Sequence, residues 1–157
     1  MTPKSPTLLL VEDSPDDVFF FRHALKKSGL NVSVQVVSNG QRALDYFAGV
    51  GRYSDRDSFP LPAIVFLDLK MPLLGGFDVL AWMKQQPGLS KIPVIILTGS
   101  SEQRDKARAC ELGAQDYCVK PLVSDKLRDL VVLLPSAAVS QASPGCRELS
   151  PSPVGTT

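Results

Sequence analysis

The chain has 157 residues, 44% of them apolar and 21% charged, with a formal net charge of +1. Such a composition suits one domain with a real core, and so near-neutral a chain lacks the basic excess that nucleic acid or an anionic membrane would attract. No apolar run approaches the roughly 18 residues needed to span a bilayer, and Met1-Thr2-Pro3-Lys4-Ser5-Pro6 leads into a run too short for a signal-peptide core, so a cytoplasmic protein is expected.

In chain order, Thr7 to Val11 is a short apolar run that ends directly in Glu12-Asp13, which reads as a buried strand delivering two carboxylates. Ser14-Pro15-Asp16-Asp17 supplies a cap, a proline at the first helical position and acids in the first turn. Val18, Phe21, Ala24 and Leu25 then recur at helical spacing, and Gly29 ends the helix. Val32, Val34 and Val36 alternate with Ser33 and Gln35, as in an edge strand wet on one face. A helix from about Gly40 is expected to turn Ala43, Leu44 and Phe47 inward. Gly49 to Pro62 reads as a long polar loop carrying Arg52, Asp55, Arg56 and Asp57, and a loop of such length has a function or is mobile.

Ile64-Val65-Phe66-Leu67 is the next buried strand, and it runs into Asp68 and then into turn residues. A helix beginning near Gly76 buries Val79, Leu80 and Met83 and ends before Pro87-Gly88. Val94 to Leu97 is a fourth strand, bringing Thr98-Gly99-Ser100 to its end. The following helix, Ser101 to Leu112, is mostly polar and stops at Gly113; so thin an apolar face packs weakly and marks a candidate for movement or partner contact. Asp116 to Val119 makes a fifth strand ending in Lys120-Pro121, and Leu127, Leu130, Val131 and Leu134 stripe the last helix. Beyond Pro135 the Ser-, Pro- and Ala-rich composition is that of a disordered tail. The expected division is an extension over 1–6, one domain over 7–134 and the tail over 135–157. Nothing in the sequence suggests a DNA-binding output domain. Cys110, Cys118 and Cys146 are odd in number and show no close metal-ligand spacing; Cys110 and Cys118 read as reduced and structural and Cys146 as a tail thiol.

Five strands alternating with five helices imply a doubly wound α/β fold with a parallel sheet and right-handed crossovers. Chemistry in such folds collects outside the carboxyl ends of the strands, where Glu12, Asp13, Asp68, Thr98 and Lys120 would meet. Three crowded carboxylates raise one another's pKa unless a cation neutralises them, and an oxygen-rich cup of this kind suits Mg²⁺, with Mn²⁺ as a substitute. Asp68 would then be a nucleophile able to form an acyl phosphate. Lys120 offers a cation, Thr98 a hydroxyl and Gly99 a backbone N–H to stabilise the charge in transit.

The segments Leu10-Val11-Glu12-Asp13, Phe66-Leu67-Asp68-Leu69-Lys70-Met71-Pro72, Leu97-Thr98-Gly99 and Tyr117-Cys118-Val119-Lys120-Pro121 resemble the signature of bacterial response-regulator receiver domains over residues 7 to 134. The resemblance implies a flavodoxin-like (βα)5 fold with strand order 2-1-3-4-5. It also implies Asp68 as phosphoacceptor, with Glu12, Asp13 and the backbone carbonyl of Lys70 sharing the metal and Thr98 and Lys120 binding the phosphoryl group. A cis Lys120-Pro121 bond and a switching role for Tyr117 follow from it as well. The long loop is similar to that of single-domain receivers partnered with bacterial phytochrome kinases. The partners implied are a sensor histidine kinase or phosphorelay donor and a downstream protein on the face of the fourth helix, fifth strand and fifth helix. The last helix stops early at Pro135, which leaves homodimerisation open.

Two other functions fit part of the pattern. A haloacid-dehalogenase-like phosphatase uses a similar Asp, Mg²⁺, Thr and Lys, but the position that supplies its proton donor is Lys70 here. A scaffold that has lost phosphorylation would not need the complete constellation. Lys70, two residues after the acceptor, and Ser100 are expected to modulate the lifetime of the acyl phosphate.

Overall fold

The structure, a computed structural model, describes residues 6–99 and 102–132. Five strands form one parallel sheet in the order β2-β1-β3-β4-β5, as the resemblance implied. They are β1 (Thr7–Val11), β2 (Ser33–Val37), β3 (Ile64–Leu67), β4 (Val94–Thr98) and β5 (Asp116–Val119). The helices between them are α1 (Pro15–Ser28), α2 (Gly40–Ala48), α3 (Gly76–Lys84), α4 (Gln103–Glu111) and α5 (Ser124–Val132).

Side chains alternate across a strand, so each central strand feeds two cores. Leu8, Leu10, Ile64, Phe66, Ile95 and Leu97 meet Phe21, Ala24 and Leu25 of α1 and Leu127 and Val131 of α5. Leu9, Val11, Val65, Leu67 and Ile96 meet α2, α3 and Ala109 of α4 on the opposite face. This two-sided burial explains why the central strands are apolar without interruption. Phe21 packs edge-on against Phe66 with ring centroids 5.0 Å apart, and each such buried side chain contributes roughly 2–3 kcal/mol.

The local signals act as read. Ser14 Oγ accepts the N–H of Asp17, and Gly29 closes α1 at φ 75°. Asn39 caps α2 in the same way, accepting from the N–H of Arg42. At Gly76 a β-carbon would collide with the backbone carbonyl of Asp68. Only glycine lets α3 begin so close to the end of β3.

Four expectations are modified. Val32 lies just before β2, and the fully buried residue of that strand is Val37. In α2 Tyr46 takes the core position that was assigned to Leu44, which is half-buried. The Gly49 to Pro62 segment has a fixed path: a single 3-10 turn at Gly51–Tyr53 buries Tyr53 beside Tyr46 and Phe59. The Arg56 guanidinium pins it, donating to the carbonyls of Tyr46 (2.9 Å), Phe47 (2.8 Å) and Phe59 (3.0 Å). Arg56 thus caps the last carbonyls of α2, adding a second donor at Tyr46, which also accepts the N–H of Gly49 at 3.2 Å. The polar letters of this loop hid an aromatic cluster and a cap. Finally, α4 runs from Gln103 and buries Ala109 alone, as thinly held as its composition suggested. Ser100, Ser101, Leu134, Cys146, the segment 1–5 and the tail from 135 lie outside the described residues.

Candidate functional site

Parallel pairing aligns the carboxyl ends of β1, β3, β4 and β5. Val11 lies opposite Leu67, Leu67 opposite Ile96, and Thr98 opposite Val119, so the residues that follow share one rim. Backbone hydrogen bonds fix that rim. The N–H of Glu12 donates to Val37 (3.0 Å), that of Asp68 to Val11 (3.0 Å) and that of Lys120 to Thr98 (2.7 Å). The Lys120-Pro121 peptide is cis.

Glu12, Asp13 and Asp68 converge, each offering a carboxylate oxygen within 4.8 Å of the others. Glu12 and Asp68 are buried and Asp13 is exposed. Hence the cluster has two dry members and a wet mouth. The Lys120 ammonium enters from the side, 2.7 Å from Glu12 Oε1, 2.7 Å from Asp17 Oδ2 and 3.6 Å from Asp68 Oδ1. Around these groups opens a cleft of about 680 Å³, lined also by Ser14, Lys70, Thr98, Gly99 and Glu102. Thr98 is wholly buried and Gly99 exposed. Asp68 Oδ1 accepts from the N–H of Lys70 at 3.4 Å, while the Lys70 side chain stands in solvent. Tyr117 is buried under α4, with Lys106 Nζ 5.9 Å from its ring centroid.

The electrostatics follow from this crowding. Burial pushes the Glu12 carboxyl up to about 7; the hydrogen bond from Lys120 works against that rise and the charge of Asp68 adds to it. Burial raises Asp68 too, with Lys120 opposing and Asp13 assisting. For Lys120 burial acts downward, but the hydrogen bonds to Asp17 and Glu12 and the nearby Asp68 charge prevail and raise it. Two carboxyls held above their ordinary range by burial first, and then by the charge of a neighbouring carboxylate, are what a divalent cation would relieve. The donor set is all oxygen and the pocket is open, so the residues fit Mg²⁺ or Mn²⁺.

Every site residue singled out in the sequence is therefore on or beneath one rim, except Ser100, which is not among the described residues. One participant was missed. Asp17 read as an ordinary acid of a helix's first turn, favourable to the helix dipole. Its contact with Lys120, 103 residues away, carries no local signal; only the fourth position after Asp13, one helical turn into α1, hinted that it could face the cleft.

Residues 8–132 match the family model described as the response regulator receiver domain. The response regulator Rcp1 of Synechocystis sp. is 35% identical over 123 residues, spanning 78% of this chain and 80% of Rcp1. Among solved structures, the bacteriophytochrome response regulator AtBRR is 39% identical with a TM-score of 0.73, covering 84% of this chain and 94% of AtBRR. The Mn²⁺-bound form of Rcp1 is 30% identical with a TM-score of 0.69, covering 83% of this chain and 96% of that one.

Proposed function

The chain belongs to the response regulator receiver family, and from that membership we propose that Asp68 accepts a phosphoryl group from a phosphohistidine donor and that the new charge resets a protein-binding surface. The observation that carries this reading is the cluster itself: a buried acceptor carboxylate at the end of β3, two further carboxylates within 4.8 Å and a lysine ammonium 3.6 Å away. Mg²⁺ held by Glu12, Asp13, Asp68 and the carbonyl of Lys70 would supply the positive charge that lets an anionic nucleophile meet an anionic phosphoryl group.

The chain's own groups do the rest. A carboxylate oxygen of Asp68 attacks phosphorus, and the bond from phosphorus to the donor's imidazole nitrogen breaks. Lys120 pairs with the transferred oxygens, and the Thr98 hydroxyl and the Gly99 N–H donate to them. The donor's imidazole leaves as a neutral ring because its second nitrogen already carries a proton when the bond to phosphorus breaks, so this chain need supply no general acid. The product is an acyl phosphate that turns over only by its own slow hydrolysis, so the protein acts as a signalling switch and catalyses no metabolic turnover.

The donor that fits is a cytoplasmic sensor histidine kinase, of the phytochrome type if the resemblance to AtBRR extends to partners. Thr98 at the end of β4 and Tyr117 on β5 flank α4, the helix with the thinnest apolar anchorage. The output surface in this reading is therefore the face of α4, β5 and α5. The test is intact mass after incubation with Mg²⁺ and a small acyl-phosphate donor. Wild type gains one phosphoryl group, while Asp68→Asn and an EDTA-treated sample gain none; equal gain on Asp68→Asn would refute the assignment.

A further inference from the structure

Lys120 has three carboxylate neighbours, and they are not equivalent. Glu12 and Asp68 belong to the cluster that would hold a metal, whereas Asp17 stands outside it, on the first turn of α1. Both ends of the Asp17 to Lys120 contact are braced. The N–H of Asp17 is held by the cap Ser14 at 3.3 Å, and the N–H of Lys120 by the carbonyl of Thr98 at 2.7 Å. The ammonium is largely shielded, with its side chain 19% exposed, and Asp17 is 34% exposed.

A divalent cation entering the cluster draws on a Glu12 carboxylate already engaged at both oxygens, Oε1 by the Lys120 ammonium at 2.7 Å and Oε2 by the N–H of Ser14 at 3.2 Å. An ammonium stripped of its partners in so dry a place is costly, which sets the two cations in competition. Building on the phosphoacceptor reading, we infer that Asp17 is a positioning residue for Lys120: it is the seat to which the ammonium withdraws when metal takes Glu12. Because Asp17 already shares the ammonium at 2.7 Å, Lys120 yields Glu12 without being left unpaired. It also remains beside the cleft, ready for the incoming phosphoryl oxygens.

Asp17→Asn keeps the shape and removes the charge. Lys120 then has only metal-binding carboxylates as anionic partners, so metal must displace it from all of them. The dissociation constant for Mg²⁺, measured by calorimetry on the full chain without any donor, rises roughly three- to tenfold, the scale of one part-buried ion pair. Asp16→Asn removes an exposed charge from the same helical turn and shifts the constant by less than about twofold. The decisive arm repeats Asp17→Asn in a Lys120→Met background. If Asp17 acts through Lys120, its effect there shrinks to below about twofold. Circular dichroism verifies that each variant is folded. An unchanged constant for Asp17→Asn, an equal shift for Asp16→Asn, or a shift that survives without Lys120 would each overturn the role of Asp17. Absence of Mg²⁺ binding by the wild type would instead strike at the reading of Glu12, Asp13 and Asp68 as a metal set, and the role of Asp17 would go with it.

Discussion

Metal uptake by this cleft should depend steeply on pH just below neutrality. Glu12 in the metal-free protein is pushed up to about 7, first by burial and then by the Asp68 charge. A metal requires it deprotonated. At about pH 6 roughly nine tenths of Glu12 side chains carry a proton, so apparent Mg²⁺ affinity falls by about tenfold for each unit below 7 and levels off above about pH 8. Asp68 is raised as well and steepens the loss. Lys120, whose pKa is raised, stays charged throughout this window and adds no slope. The assay is calorimetric titration with Mg²⁺ across the range, in buffers of different ionisation enthalpy so that proton release is counted. Close to neutrality, binding should release a substantial fraction of a proton. Glu12→Gln should weaken binding and flatten the profile. A wild-type affinity that stays constant between about pH 6 and about pH 8, or a Glu12→Gln profile as steep as wild type, would refute the reasoning.

Three other outcomes follow from the packing around the site. Arg56→Ala removes three charge-assisted hydrogen bonds of 2.8–3.0 Å, which should cost about 3 kcal/mol and lower Tm by roughly 6–12 °C, while phosphoryl uptake well below the new Tm is retained. Gly76→Ala drives a β-carbon against the Asp68 carbonyl and to within 2.8 Å of the Leu69 α-carbon. Thermal denaturation should show a loss of about 2–3 kcal/mol, and the folded variant should take up phosphoryl groups more slowly because its acceptor has shifted. Leu73 is fully exposed at φ 66°, so Leu73→Gly relieves left-handed strain without losing burial; Tm should rise by roughly 1–2 °C, and a fall would show that the side chain has a partner.

The strands and the rim were legible because their causes are local or repeat along the chain. A short apolar run that stops at an acid, a hydroxyl or a lysine announces a strand and what it delivers, and parallel topology then brings the ends together without long-range information. The same holds for Ser14 and Gly29, whose backbone requirements are met by their own neighbours. What stayed hidden depends on partners far along the chain. Tyr46 looked no more inward than Leu44 until Tyr53 and Phe59 folded back over it. Arg56 read as one of several loop charges, although its carbonyl acceptors lie nine and ten residues earlier on α2. Asp17 had a sufficient explanation as a helix-start acid, and a residue already explained invites no further question. Its second role appears only when Lys120 is placed beside it.

The charge in the cleft explains why one helix in particular should respond to phosphorylation. Metal-free, the carboxylates of Glu12, Asp13, Asp17 and Asp68 line the cleft around the largely shielded end of Lys120, and burial together with the Asp68 charge pushes Glu12 up to about 7. In the proposed reading a phosphoryl group on Asp68 adds further negative charge, and the donors proposed to meet it, Thr98, Gly99 and Lys120, stand at the ends of β4 and β5. The elements on the β1 side are locked: α1 buries Phe21, Ala24, Leu25 and Ser28, and α3 buries Val79, Leu80 and Met83. Among the described helices α4 has the least buried anchorage, with Ala109 as its one buried residue, so in the proposed reading it is the helix to be re-seated at the scale of a few kcal/mol that one new set of charge-assisted hydrogen bonds supplies. Tyr117, packed beneath it, would feel any such shift first. A Tyr117→Ala variant should therefore accept phosphoryl groups at about the wild-type rate yet lose the phosphorylation-dependent change in amide exchange of α4. Retention of that change would place the coupling elsewhere.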